Sequence, residues 1–231
     1  LGFPDLTRRF LRREGNAENE SDMLNLFDFF RTKIKEYGLE KIVYEIEMPL
    51  TEVLASMETR GIGADTKKLH SLKEDVEKKL ALISKKVFEG IGTKFNISSP
   101  KQVAEIVFDR LGIGLHKKPK KTAGGQRSTA ENVLQKMRGA HPIIPLILEY
   151  RENAKTLNTY IEPLLALTAR ARIHTTFVQT GTGTGRLSSE KPNLQNIPQE
   201  SEWAPRLRKS FEAEKGFSFV SFDYSQLELR L

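Results

Sequence analysis

No cysteine occurs in the 231 residues. That excludes a disulfide scaffold, a thiolate zinc site and a cysteine nucleophile, and it leaves the redox compartment open. Histidine is scarce too: His70, His116, His141 and His174 are scattered without ligand spacing, which suits surface or packing roles better than a metal site. Long apolar runs are missing. The longest, near Ile143, is interrupted by Pro142 and Pro145, far short of a membrane span, and the N-terminus has no secretory-signal pattern. Residue 1 is Leu rather than Met, and the chain stops at Leu231 inside a promising pattern, so it reads as a piece of something longer.

What is present is the composition of a globular protein. A 38% hydrophobic and 29% charged content excludes disorder throughout. The mass of 26.3 kDa has room for one large domain or two modest ones. The formal net charge is +7, and its distribution is uneven: residues 1–65 carry −4, residues 66–138 carry +10, and residues 139–231 carry +1. A block of one sign attracts polyanions with salt-sensitive affinity. A lysine-rich solvated helix face explains the same charge equally well.

Periodicity gives the elements. Residues 1–40 are mixed, and Glu14–Asp22 reads as a polar loop or lead-in. A helix is expected over Lys41–Arg60, closed by Gly61, followed by a short extended link Gly61–Ala64. Asp65 can cap a long helix with Leu69, Leu72, Val76, Leu80, Ile83 and Val87 on one face, lysines on the other, and an end at Gly90. Ser99-Pro100 opens another helix, stopped by Gly112. The stretch from Gly112 to Arg127, with Lys117, Lys118, Lys120 and Lys121, has no apolar period and reads as a flexible basic loop. Ser128 and Glu131 form a capping-box pattern, and a helix broken or kinked near Pro163 covers Ile143–Ala169. From Ile173 the pattern changes: Ile173–Gln179 and Phe217–Phe222 read as strands. The fold class is therefore α+β, helical first and mixed later, with a boundary near residue 170.

Three segments can carry chemistry. Thr180–Gly185 alternates threonine and glycine ahead of Arg186-Leu187-Ser188-Ser189. It lacks the P-loop ending and the dinucleotide fingerprint. Small residues followed by arginine suit close approach to a nucleic-acid backbone or groove; a flexible turn is the plainer reading. Asn193-Leu194-Gln195-Asn196 places three amides within four positions, able to donate to minor-groove acceptors or to make an ordinary turn. Asp223 falls where the alternating strand ends, a place for a cation-holding carboxylate or for a helix cap.

Taken together these segments resemble the family A DNA polymerases. Phe222-Asp223-Tyr224-Ser225-Gln226-Leu227-Glu228-Leu229-Arg230 is similar to that family's motif A. Thr184–Ser189 and Pro192–Pro198 match the preceding palm segment in order and distance. Upstream, Glu47-Met48-Pro49-Leu50, Phe95–Ser99, Ser128-Thr129, His141-Pro142 and Leu148-Glu149-Tyr150-Arg151 with Lys155 resemble the thumb. The resemblance runs from about Tyr44 to Leu231 and implies a lead-in over 1–43, a helical thumb over 44–170 with its basic tip at about 90–140, and the first part of an antiparallel-sheet palm over 171–231.

Roles follow by position, as the resemblance implies them. Asp223 and the backbone carbonyl of Tyr224 would hold metal, with two Mg²⁺ ions in the complete enzyme activating a primer 3′-hydroxyl. Ser225 and Gln226 would sit beside the incoming dNTP, and Glu228 would exclude a ribose 2′-hydroxyl. Arg186 would read the minor groove, flanked by Ser188, Ser189, Asn193, Gln195 and Asn196. Arg151, Lys155, Asn96, Ser98, Ser128 and Thr129 would touch phosphates from the thumb. The implied partners are primer-template DNA and dNTP, with no membrane and a monomeric chain. A bacterial parent would place it in the cytoplasm at the nucleoid; organellar or viral parents stay open.

The chain departs from the family pattern at Gly183, usually Ala, at Glu200, often Arg, and at Leu227, usually Ile. Neither a fingers helix nor the motif bearing a second catalytic aspartate is recognisable, so the chain alone is expected not to extend primers. A stand-alone, non-catalytic duplex-binding module is the alternative, and an RNA-synthesising relative is disfavoured by Glu228.

Overall fold

The computed structural model describes residues 3–12, 20–113 and 127–230. The chain forms two compact units, Leu1–Arg60 with Gln179–Leu187, and Gly61–Val178 with Ser188–Leu231.

The smaller unit is helical. Helix α1 (Phe3–Leu6) runs into a wider π turn at Thr7–Leu11, where Phe10 stacks edge-on against Phe30 at 5.0 Å. Helix α2 spans Glu20–Glu36, so Glu20-Ser21-Asp22, expected as loop, form its first turn. Their carboxylates suit the positive end of a helix dipole. A π turn at Ile42–Glu47 leads into α3 (Met48–Arg60), as the periodicity over Lys41–Arg60 predicts. Pro49 has no N–H to close an ordinary turn, and the wider turn lies immediately before it.

In the larger unit, β1 (Ile62–Ala64) is followed by α4 (Thr66–Ile91). Asp65 accepts from the backbone N–H groups of Lys67 and Lys68, the expected cap. The helix runs through Gly90 and ends at Gly92, whose φ of 75° is the left-handed cap glycine permits. One apolar stripe of α4 builds two cores. Ile83, Val87 and Ile91 pack with Val103, Val107 and Phe108 from α5 (Pro100–Ala104) and its π extension Glu105–Arg110, with Leu134 of α6 (Glu131–Gln135), and with Ile143, Ile144 and Ile147 of α7 (Ile143–Lys155). Leu69, Leu72 and Val76 pack with Leu157 and Ile161 of the π turn Thr156–Ile161, Leu164 of α8 (Glu162–Leu167), Trp203, and Leu207 of α9 (Ala204–Arg208). Each buried aliphatic side chain contributes about 1.5–3 kcal/mol of transfer free energy.

The expected Ser128–Glu131 capping box does not form. The Ser128 hydroxyl accepts from Ala130 N–H, two residues on, and α6 starts after Ala130 without a side-chain cap. That local turn uses the oxygen a box would need.

The sheet has the order β2-β3-β1-β6, from Thr168–Ala169, Arg172–Ile173, β1 and Phe211–Glu212, antiparallel throughout. Residues 62–64, expected as a link, are thus a central strand. Gly63 lies against the Glu212 carbonyl so closely that a β-carbon would collide with it. The strand expected over Ile173–Gln179 splits into β3 and β4 (Thr176–Val178). The cause is Thr175, buried, whose hydroxyl hydrogen-bonds the carbonyls of Glu190 and Pro192 and draws the chain onto β5 (Ser188–Glu190).

Phe217–Phe222, expected as a strand, joins no sheet among the described residues; Phe217 N–H donates to the Glu214 carbonyl, and Phe217, Phe219, Val220 and Phe222 are exposed. Among the described residues no strand lies beside it. Alternation supplies a face, not the ladder partners that backbone groups require.

Candidate nucleic-acid interface

The lysine face of α4 is largely neutralised at home. Lys68 pairs with Asp65 and Glu212, Lys73 with Glu77 and Glu162, Lys78 with Asp75, Lys79 with Glu149 and Glu202, and Lys85 with Glu89. These carboxylates, first Glu212 for Lys68, Glu162 for Lys73 and Glu202 for Lys79, hold the three ammonium groups above the ordinary lysine pKa. The solvated-face reading therefore describes α4 better than a DNA-facing one. Lys117, Lys118, Lys120 and Lys121 lie outside the described residues.

At the far end of the larger unit, Arg151 on α7 is half-buried, and burial draws its guanidinium below the usual arginine pKa. It donates to both the carbonyl and the hydroxyl oxygen of Thr129, the latter at 3.2 Å. Thr129 is 3% exposed. The Thr129 side chain is covered in this structure, and Arg151 holds the 127–130 segment through it. Lys155, Asn96 and Ser98 are exposed, and Ser128 is half-buried. The Asn96 side-chain oxygen accepts from Ser98 N–H at 2.9 Å, which folds that pair into a turn. A groove of about 500 Å³ beside Arg151 is lined by Arg138, Lys155, Glu131, Glu149 and Glu152, so its charges balance.

The amide run forms a closed hydrogen-bonded turn. Asn193 Oδ1 accepts from Gln195 N–H at 3.0 Å, Gln195 Oε1 accepts from Ser189 N–H at 3.0 Å, and Ser189 Oγ accepts from Leu194 N–H at 3.2 Å. Ser189 is 3% exposed and is bonded to both Asn193 and Gln195. Ser188 Oγ donates to the Val178 carbonyl across the β4–β5 pair. Asn196 is exposed.

Arg186 is exposed, on the loop carried by the smaller unit. Thr182 Oγ1 donates to the Arg186 carbonyl at 2.7 Å, and Gly185 takes a φ of 73°, so the threonine–glycine run is a folded turn. A turn is the plainer reading of the spacing; the structure has that turn, and Arg186 on it is exposed.

Asp223 stands in an exposed segment without regular structure, followed by exposed Tyr224, Ser225 and Gln226. Gln226 adopts a φ of 54° and precedes a 3₁₀ turn over Leu227–Leu229, which contains Glu228. Among the described residues no group of three or more His, Asp or Glu is placed to hold a metal. One carboxylate and one carbonyl are a partial donor set. These residues do not make a two-ion site by themselves.

Sequence order, exposure of Asp223 and the arginine-bearing turn converge with similarity. A profile of DNA polymerase family A matches residues 66–231. The chain belongs to this family. The DNA polymerase I of Deinococcus radiodurans is 42% identical over 99% of this chain and 24% of its own length. That of Synechocystis is 46% identical over 84% of this chain and 20% of its own. The chain thus spans a quarter or less of these family A relatives. A solved polymerase domain of Pol1 from M. smegmatis, in complex with DNA primer-template and dNTP, covers 94% of this chain and 39% of its own at a TM-score of 0.87 and 32% identity. Among the described residues no helix is long and apolar enough to cross a membrane.

Sequence reading missed Gln179, Asn153 and Trp203, each of which ties distant segments together. Their one signal is position: a polar residue directly before the threonine–glycine run, another within an apolar helix face, and the single tryptophan.

Proposed function

We propose that the chain is the part of a template-directed DNA polymerase that grips primer-template DNA and supplies one metal-binding carboxylate. In the complete enzyme a dNTP would be joined to a primer 3′-hydroxyl. The observation that carries this is Asp223, exposed within Phe222–Arg230, in a chain whose family is shared with a polymerase domain solved with primer-template and dNTP. Helices 66–167 serve as the thumb, and the segments from 171 onward begin the palm.

Asp223 and the Tyr224 carbonyl would be donors to magnesium, which when bound would lower the pKa of the attacking hydroxyl and neutralise developing phosphate charge. The remaining donors would have to come from residues other than those described. Ser225 and Gln226 flank the nucleotide, and Glu228 selects against a 2′-hydroxyl. Arg186, Asn193, Gln195 and Asn196 meet the duplex; Lys155, Asn96, Ser98 and Ser128 meet its phosphates, with Arg151 and Thr129 shaping that surface.

Primer extension tests the reading. The longer polymerase should extend a primer with Mg²⁺, Asp223→Ala should cost it several orders of magnitude, and the 231-residue chain alone should extend nothing. An Asp223→Ala polymerase of unchanged rate would refute the assignment. A duplex-binding module without chemistry needs neither Asp223 nor Glu228, and that alternative gains only if no longer chain carrying this segment extends primers.

A further inference from the structure

A side chain at its base ties down the loop that presents Arg186. The Gln179 amide hydrogen-bonds a single turn of a helix far away in sequence. Its Nε2 donates to the Glu47 carboxylate at 2.7 Å and to the Glu47 carbonyl at 3.0 Å. Its Oε1 accepts from the Thr51 hydroxyl at 3.3 Å. Thr51 also donates to the Glu47 carbonyl, at 3.0 Å.

The anchor point is distinctive. Glu47 closes the π turn Ile42–Glu47 and precedes α3, two residues before Pro49. Its carbonyl, at a junction of helix types, receives the hydroxyl and the amide together. A charge-assisted amide–carboxylate bond is stronger than a neutral one and fixes direction as well as distance. Gln179 stands at the base of the loop, at the end of β4, where the chain passes from one compact unit to the other. The Thr182–Arg186 bond then closes the loop upon itself, so the anchor at its base sets the attitude of the arginine at its end.

We infer that Gln179 is a positioning residue, with Glu47 and Thr51 as its seat, which orients the Arg186 loop for duplex binding. The inference rests on the reading of Arg186 as a duplex contact. Gln179 itself touches no DNA.

The test is a fluorescence-anisotropy titration of a labelled primer-template duplex with the 231-residue chain and its variants. Arg186→Ala should weaken binding roughly tenfold or more, as for a lost groove contact. Gln179→Glu sets a carboxylate against Glu47 and should weaken binding roughly tenfold. Adding Glu47→Gln to Gln179→Glu restores a charge–amide pair in reverse and should recover most of the loss. In an Arg186→Ala background Gln179→Glu should have no further effect.

Binding of the Arg186→Ala chain at the parent affinity, or no duplex binding by the parent, would sink both the reading and the inference. An Arg186→Ala loss without a Gln179→Glu loss, or a Gln179→Glu loss that persists without Arg186, would sink the inference alone. Far-UV circular dichroism checks folding. Should Gln179→Glu not fold, Gln179→Ala gives the same comparison with a smaller loss.

Discussion

The indole N–H of Trp203 donates to the side-chain oxygen of Asn153 at 2.6 Å, with Asn153 only 2% exposed. This bond joins the segment leading into α9 to the last turn of α7. Asn153 turns its other side-chain atom to the Glu149 carbonyl at 2.7 Å, so both ends of its amide are occupied. Around the ring stand Lys79 and Arg206, each within 6 Å of its centroid.

Asn153→Leu should therefore strand the indole N–H in the core and destabilise by about 1–3 kcal/mol. Trp203→Leu should cost comparably, by lost packing as well as by the orphaned amide. The double change to leucine should cost clearly less than the two single losses added. Denaturant unfolding of the four chains measures this cycle; strict additivity would show that the bond couples nothing.

At the turn between β2 and β3, Arg170 and Ala171 both adopt left-handed backbone, with φ of 50° and 59°. Type I′ hairpin turns favour glycine at such positions because a β-carbon is strained there. Ala171→Gly should raise stability by about 0.5–1 kcal/mol. A lowered thermal midpoint would contradict this.

Asp65 and Lys79 give opposite pH limbs. Backbone N–H of Lys68, followed by its ammonium group, holds the Asp65 carboxyl below its ordinary value of 3.8. Its contribution is present above that value and fades as pH falls through the lower folded value. Glu202 and then Glu149 hold Lys79 above 10.5, so its contribution is complete below that pH and fades as pH rises through the higher folded value. Asp65→Asn should flatten the acid limb of stability against pH and leave the alkaline one, while Lys79→Met should do the reverse. Urea unfolding across pH reads both.

The paired lysines of α4 predict a second contrast. Removing Lys117, Lys118, Lys120 and Lys121 should flatten the slope of log affinity against log salt by about 0.9 for each that meets a phosphate. Removing Lys73 and Lys85, which face their own carboxylates, should leave the slope unchanged. Equal effects from both sets would mean that α4 itself faces DNA.

How much of this was written in the residues differs from element to element. Helix α4 was legible because cap and apolar step agree, although its closing glycine is Gly92 rather than Gly90. Helix α2 was obscured because Met23, Leu24 and Phe27 are exposed while Leu26 is buried, so its apolar residues do not mark a single inward face. The short strand β1 could not be recognised locally, since its two neighbours come from residues 172–173 and 211–212. For the candidate site, Asp223 and Arg186 were singled out by motif, and the structure leaves both exposed. The same motif could not distinguish Ser189 and Thr129, which are buried supports, from their exposed neighbours, because burial is decided by the fold.

The crowding of Gly63 against the Glu212 carbonyl reaches beyond the sheet. Even a methyl group there would push outward the last strand before the chain sets off toward its acidic motif. A single hydrogen in place of a side chain, early in the chain, thus governs where the stretch leading to Asp223 begins its course.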